Sequence, residues 1–100
     1  MICALTVRRL KPGTFEQFKE AFMRPVRAGD VPGGLVRFNM IRSMSNPDEV
    51  VCFGFFTGDP DSVRANAQTP VYQAQLTAIA PYVESVGTDG FFEVVDEIAP

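Results

Sequence analysis

The chain predicts an α+β domain in which one antiparallel sheet of four strands carries its helices on one face. Three observations predict it. Four runs rich in β-branched and aromatic residues are separated by turn compositions; the first and second runs, and the third and fourth, are linked by segments with apolar residues at helical spacing; and only five residues join the middle two, which makes a hairpin.

The first strand is Ile2 to Leu10, closed by the turn signal Lys11-Pro12-Gly13. Thr14 opens a helix, and Thr14-x-x-Gln17 has the form of a capping box. Phe15, Phe18, Phe22 and Val26 fall on one stripe of that helix, leaving Glu16, Lys19 and Glu20 to solvent, and Pro25 weakens its last turn. Gly29 to Gly34 (GDVPGG) is a loop. Leu35 to Met44 alternates with period 2 and forms the second strand. The turn Ser45 to Glu49 leads into the third, Val50 to Thr57. Asp59-Pro60 and Thr69-Pro70 each pair an N-cap residue with a proline at the first helical position, so two helices follow, at about Asp61 to Ala67 and Val71 to Val83. Tyr72, Leu76, Ile79 and Val83 share a face of the second, and Pro81 makes its end irregular. After the turn Gly87 to Gly90, the last strand is Phe91 to Ile98. The order is βαββααβ across residues 1–100, read as a single domain. A ferredoxin-like arrangement, with the fourth strand beside the first, the first beside the third and the third beside the second, keeps both crossovers right-handed.

Composition narrows the chemistry. There is no histidine, and the two cysteines, Cys3 and Cys52, sit in apolar runs with no metal-ligand spacing. Zinc sites, Ser-His and Cys-His nucleophile pairs and a haem held by a proximal histidine are therefore excluded, and no metal is expected. No apolar run approaches the roughly 20 residues of a membrane helix, no leader pattern is present, and the reading is cytoplasmic with no membrane partner. The first fifty residues carry eight basic and five acidic side chains, the last fifty one and seven. The acidic balance argues against nucleic acid.

Because side chains alternate along a strand, each strand divides into two faces. The cleaner apolar sets are Cys3, Leu5 and Val7; Phe38 and Met40; Val51, Phe53 and Phe55; Phe92, Val94 and Ile98. These are expected under the helices. The opposite face, with Arg8, Arg37, Asn39 and Glu93 among Ile41, Cys52, Phe56 and Phe91, is still too apolar to stay wet, so a second copy is expected to cover it. In this register Arg8 or Arg9 falls beside Glu93, and Cys3 lies too far from Cys52 for a disulfide.

Lys11-Pro12-Gly13-Thr14 leading into FEQFKEAF, the hairpin at Asn46-Pro47, the helix after Asp59-Pro60 and the closing Phe-Glu-Val-Val strand together resemble the antibiotic-biosynthesis-monooxygenase (ABM) type of dimeric α+β barrel over nearly the whole chain. The resemblance implies a homodimer joined through the sheet faces and a cleft for a small molecule. It also implies a range of activities, from cofactor-free oxygenation of electron-rich aromatics to haem degradation, isomerisation or none. The haem-degrading branch relies on a histidine and a tryptophan, and this sequence has neither. The aromatic-oxidising branch uses Asn, Tyr, Arg and Trp around its substrate and needs no cofactor. Asn39, Tyr72, Arg8 and Arg37 match in type, and the tryptophan is absent.

The implied function is a cofactor-independent monooxygenase acting on a small aromatic or quinone-like molecule; the alternative is a non-catalytic small-molecule-binding or structural homodimer. Each candidate has a plainer role beside its functional one. Asn39 either bonds a substrate oxygen or satisfies a backbone group. Arg8 and Arg37 either orient an anion or pair with Glu93 and Glu97. Tyr72 is either a proton donor or a core residue with its hydroxyl at the edge, and Glu93 either a general base or a solvated edge carboxylate. An RNA-recognition domain has the same element order, and Phe53-Gly54-Phe55 is similar to its base-stacking motif. That reading is set aside, because Val51 and Cys52 replace the motif's basic residue and first glycine, and the first strand supplies no aromatic.

Overall fold

Nine segments take regular structure in the computed structural model, which describes residues Met1–Pro100. They are β1 (Ile2–Leu10), α1 (Phe15–Arg27), β2 (Leu35–Arg42), β3 (Glu49–Phe56), α2 (Pro60–Ala65), a 3₁₀ turn (Asn66–Gln68), α3 (Pro70–Ile79), a second 3₁₀ turn (Ala80–Tyr82) and β4 (Val83–Glu93). The strands form one antiparallel sheet in the expected order, β2-β3-β1-β4, open at both edges.

Local chemistry sets most of the boundaries. Asp59 accepts a hydrogen bond from the Ser62 amide at 2.9 Å and Thr69 from the Tyr72 amide at 3.2 Å, with Pro60 and Pro70 in the first turns, as the sequence predicts. Thr14 departs from its expected role. Its ψ of 11° is not the extended conformation that an N-cap needs, and its hydroxyl donates instead to the carbonyls of Lys11 at 2.7 Å and Tyr82 at 3.3 Å. Thr14 therefore ties the turn after β1 to the 3₁₀ turn that follows α3. Gly34, at φ +77°, closes the loop onto β3 by accepting a hydrogen bond from the Thr57 amide at 2.9 Å.

The end of the chain corrects two expectations. Pro81 stops α3 at Ile79, and β4 begins at Val83, so Gly87 to Gly90 lie inside the last strand rather than in a turn before it. The strand absorbs its glycines because it is an edge paired only to β1, with irregularities opposite Thr6–Arg8 and Arg9–Leu10. Arg8 consequently lies opposite Val86, Arg9 opposite Ser85, and Glu93 opposite Ile2, and the expected Arg–Glu93 pair does not form.

The faces of three strands are also the reverse of the expected ones. β3 buries Val50, Cys52, Gly54 and Phe56 under the helices and turns Val51, Phe53 and Phe55 outward. The register carries β1 and β4 with it, so Ala4, Thr6, Arg8, Asp89 and Phe91 share the helix side, while Cys3, Leu5, Val7 and Phe92 face outward. Only β2 keeps its expected orientation, with Phe38 and Met40 packed on the core. Alternation finds two faces but cannot say which one helices cover when both are apolar, and in VVCFGFF both are. The core proper is Leu10, Phe18, Phe22, Val50, Cys52 and Ile79, with Phe18 and Phe22 stacked 5.6 Å apart. Cys3 and Cys52 are free thiols on opposite sides of the sheet.

Candidate functional site

The helix side of the sheet is not fully filled. Small residues at Ala4 and Gly54 lower its floor, and α1, the loop after it and α3 stand around the gap as walls. The result is a cleft of about 120 Å³ whose lining is mostly apolar: Phe22, Val26, Val31, Phe38, Phe56, Val63 and Phe91 among others. Its polar lining comes from Thr6, Arg8, Asp30, Cys52, Asn66, Thr69, Tyr72, Gln75 and Asp89.

Arg8 dominates the cleft. It is only 4% exposed, because the register of β1 with β3 turns it inward beneath α1. Its guanidinium carbon lies 5.2 Å from the centroid of the Phe22 ring and 5.9 Å from that of Phe18, a cation–π contact with both. No carboxylate pairs with it, and Nη1 has no hydrogen-bond partner at all. A buried charge without a counter-ion is costly, and such a group is ordinarily paired.

The neighbours respond to this cation. Burial pushes the Cys52 thiol up to about 11, with the Arg8 charge partly opposing, so Cys52 is a neutral thiol at physiological pH. Burial also raises the Tyr72 hydroxyl, with Arg8 lowering it and Asp89 raising it, so charges of both signs act on it. Gln75 is buried and donates to the Phe22 carbonyl at 2.7 Å, fixing α3 to α1.

Two further polar groups complete the lining. Asn66 donates to the Pro32 carbonyl at 2.6 Å, leaving its Oδ1 buried and without a partner. Gly33, at φ +99°, makes room for this contact, since a Cβ there would meet Asn66 Nδ2 at 2.9 Å. Thr6 donates to Asp89 Oδ1 at 2.9 Å across β1 and β4, holding an exposed carboxylate at the rim.

Of the residues singled out in the sequence, the fold brings Arg8 and Tyr72 together in this cleft. Arg37 and Asn39 lie on the other side of the sheet, opposite Phe55 and Phe53, and Arg37 sits 4.8 Å over the Phe55 ring. Glu93 is exposed at the end of β4, beside a shallow depression with Met1 and Arg64. Sequence reasoning missed Thr6, Asn66, Gln75 and Asp89. Thr6 carried a usable signal, since it shares a period-2 face with Arg8, whereas nothing local marks Asn66 or Gln75 as facing a cavity. No three His, Cys, Asp or Glu side chains come together as a metal-binding group.

No family model matches the sequence, and no curated protein does. Solved structures do. SnoaB from Streptomyces nogalater, described as a cofactor-independent oxygenase, is 19% identical with a TM-score of 0.81, over 99% of this chain and 97% of that one. A provisionally assigned antibiotic biosynthesis monooxygenase from Caulobacter crescentus is 14% identical with a TM-score of 0.80, over 95% and 90% of the two chains. Another from Nitrosomonas europaea is 20% identical with a TM-score of 0.76, over 96% and 100%. At these identities the likeness is one of fold, and the fold is the ferredoxin-like one that the ABM structures share.

Proposed function

We propose that the chain is a cofactor-independent oxygenase whose substrate is a small hydroxylated aromatic or quinone-like molecule bound in the Arg8 cleft. The observation that carries this is the buried guanidinium with an unpartnered Nη1 in a mostly apolar cavity. Such a site favours an anion, and an aromatic hydroxyl that loses its proton there becomes a phenolate held by Arg8. An electron-rich phenolate reacts with dioxygen directly: one electron passes to oxygen, the two radicals join at a ring carbon, and the peroxide loses water to leave a quinone. Phenol and dioxygen then account for all atoms of quinone and water. The chain's part is to stabilise the anion, exclude water with Phe22, Phe38 and Phe56, and pass the proton toward the rim where Thr6 holds Asp89. A cavity of about 120 Å³ suits one substituted ring.

Oxygen-electrode measurements with a panel of single-ring hydroquinones and catechols, with labelled dioxygen traced into the product to distinguish insertion from peroxide formation, test the reading. Uptake that is saturable and lost in Arg8→Met supports it. Binding without uptake would leave a non-catalytic ligand-binding protein.

The outward sheet face supports a second part of the proposal, a homodimer. Leu5, Val7, Ile41, Val51, Phe53, Phe55 and Phe92 lie there in one layer with no helix over them, more apolar surface than a monomer usually leaves in water. Arg37 and Asn39 belong to that interface in this arrangement, rather than to the cleft.

A further inference from the structure

The cleft is electrically two-ended. Its inner end is the Arg8 guanidinium, nine-tenths and more buried, with a free donor. Its lining also includes two exposed carboxylates, Asp30 and Asp89, neither of which enters an ion pair. The backbone of Asp30 is anchored, and the carboxylate of Asp89 is held directly. The Asp30 amide donates to the Pro25 carbonyl at 3.0 Å, and Asp89 accepts from Thr6 at 2.9 Å. Thr6 and Arg8 are two residues apart on the same face of β1, about 6.7 Å along the strand. Charges of both signs thus line one cleft, the cation buried within it and the carboxylates exposed at its mouth.

We infer that this cleft selects single-ring aromatics with one anionic group at the inner end and a hydrogen-bond donor or cation at the outer end, and rejects rings that are anionic at both ends. The inference rests on the oxygenase reading only in assigning the substrate to this cleft, and it specifies the substrate's charge pattern. Attraction at Arg8 supplies binding that both kinds of molecule share. Discrimination comes from Asp30 and Asp89, which accept a hydrogen bond from an outward hydroxyl or amine and repel an outward carboxylate, an effect that salt screens because both are exposed.

Two unreactive single-ring probes separate these cases without turnover, and the double variant below separates charge from size. 4-Aminobenzoate carries one carboxylate and one donor, and terephthalate carries a carboxylate at each end. In titration calorimetry with the wild-type protein, 4-aminobenzoate should bind on the order of tenfold more tightly than terephthalate at low salt, and the Asp30→Asn/Asp89→Asn protein should bind the two within about threefold. Arg8→Met should bind neither. No measurable binding of 4-aminobenzoate, equal affinity for the two probes in the wild type, or an unchanged gap in the double variant would each overturn the inference. Oxygen uptake is scored separately, so a protein that discriminates the probes but consumes no oxygen sinks the oxygenase reading alone, and one that consumes oxygen without discriminating sinks only the charge pattern.

Discussion

Arg8 and Phe22 meet 5.2 Å apart, guanidinium carbon to ring centroid, in a part of the molecule where no carboxylate reaches the cation. The contact keeps Arg8 in place but does not replace a counter-ion, because a cation–π interaction contributes roughly 0.5–2 kcal/mol, whereas burying an unpaired charge costs several. The position is therefore strained for stability and suited to binding.

That imbalance predicts an unusual mutant. Arg8→Met keeps the length and apolar body of the side chain and removes the charge, so the folded state should become more stable by about 1–2 kcal/mol while affinity for aromatic anions is lost. Urea denaturation followed by circular dichroism measures the first effect and calorimetry the second. A variant that loses stability would mean that Arg8 is a structural residue.

Cys52 provides a pH test. Its folded thiol value is raised from 9.0 to about 11, so deprotonation favours the unfolded chain. The stabilisation is fully present below pH 9 and disappears as pH rises through about 11, a change on the order of 2–3 kcal/mol. Tyr72, also raised, adds loss at the alkaline end of the same range. Unfolding free energies of the wild type and Cys52→Ala, measured at intervals from pH 8 to 11, should converge. The Cys52 thiol should also resist alkylation by iodoacetamide at neutral pH. Parallel curves would show that burial does not govern this thiol.

Gly34 should not tolerate a side chain. Its φ is +77°, and a Cβ there would stand 2.5 Å from Thr57 Oγ1 and 3.3 Å from the Gly58 amide nitrogen. Gly34→Ala should lose roughly 1–3 kcal/mol and loosen the loop that presents Asp30 and Pro32 to the cleft. Thermal denaturation of the variant measures the cost, and an unchanged midpoint would show that the loop relaxes freely.

The element order, the hairpin, the helix caps at Asp59 and Thr69 and the striped helix with Phe18 and Phe22 were all legible in the sequence, because each rests on local chemistry. The location of the candidate site was not. It depends on which face of β3 the helices cover, and Val50, Cys52 and Phe56 are no more apolar than Val51, Phe53 and Phe55. Arg8 made the wrong choice attractive, since a charged residue reads as outward-facing unless something in the cavity requires it. The position of β4 failed for a related reason: Gly87 to Gly90 have turn composition, and only pairing with β1 makes them a strand.

The same reversal sharpens the expectation for assembly. With Cys52 and Phe56 turned inward, the outward layer gains Leu5, Phe53 and Phe55, and the Phe53 and Phe55 rings meet edge to face at 5.9 Å, centroid to centroid. A hundred-residue chain buries only about two-thirds of its unfolded surface by itself, so covering this layer with a second copy adds stability that the monomer lacks. Phe53→Glu places a charge in the middle of the layer without touching the cleft. Sedimentation velocity at micromolar concentration should give a dimer for the wild type and a folded monomer for Phe53→Glu, with thermal stability that no longer rises with protein concentration. A wild-type monomer at that concentration would refute the paired-sheet arrangement and would leave the Arg8 cleft, which lies wholly within one chain, to be judged on its own ligands.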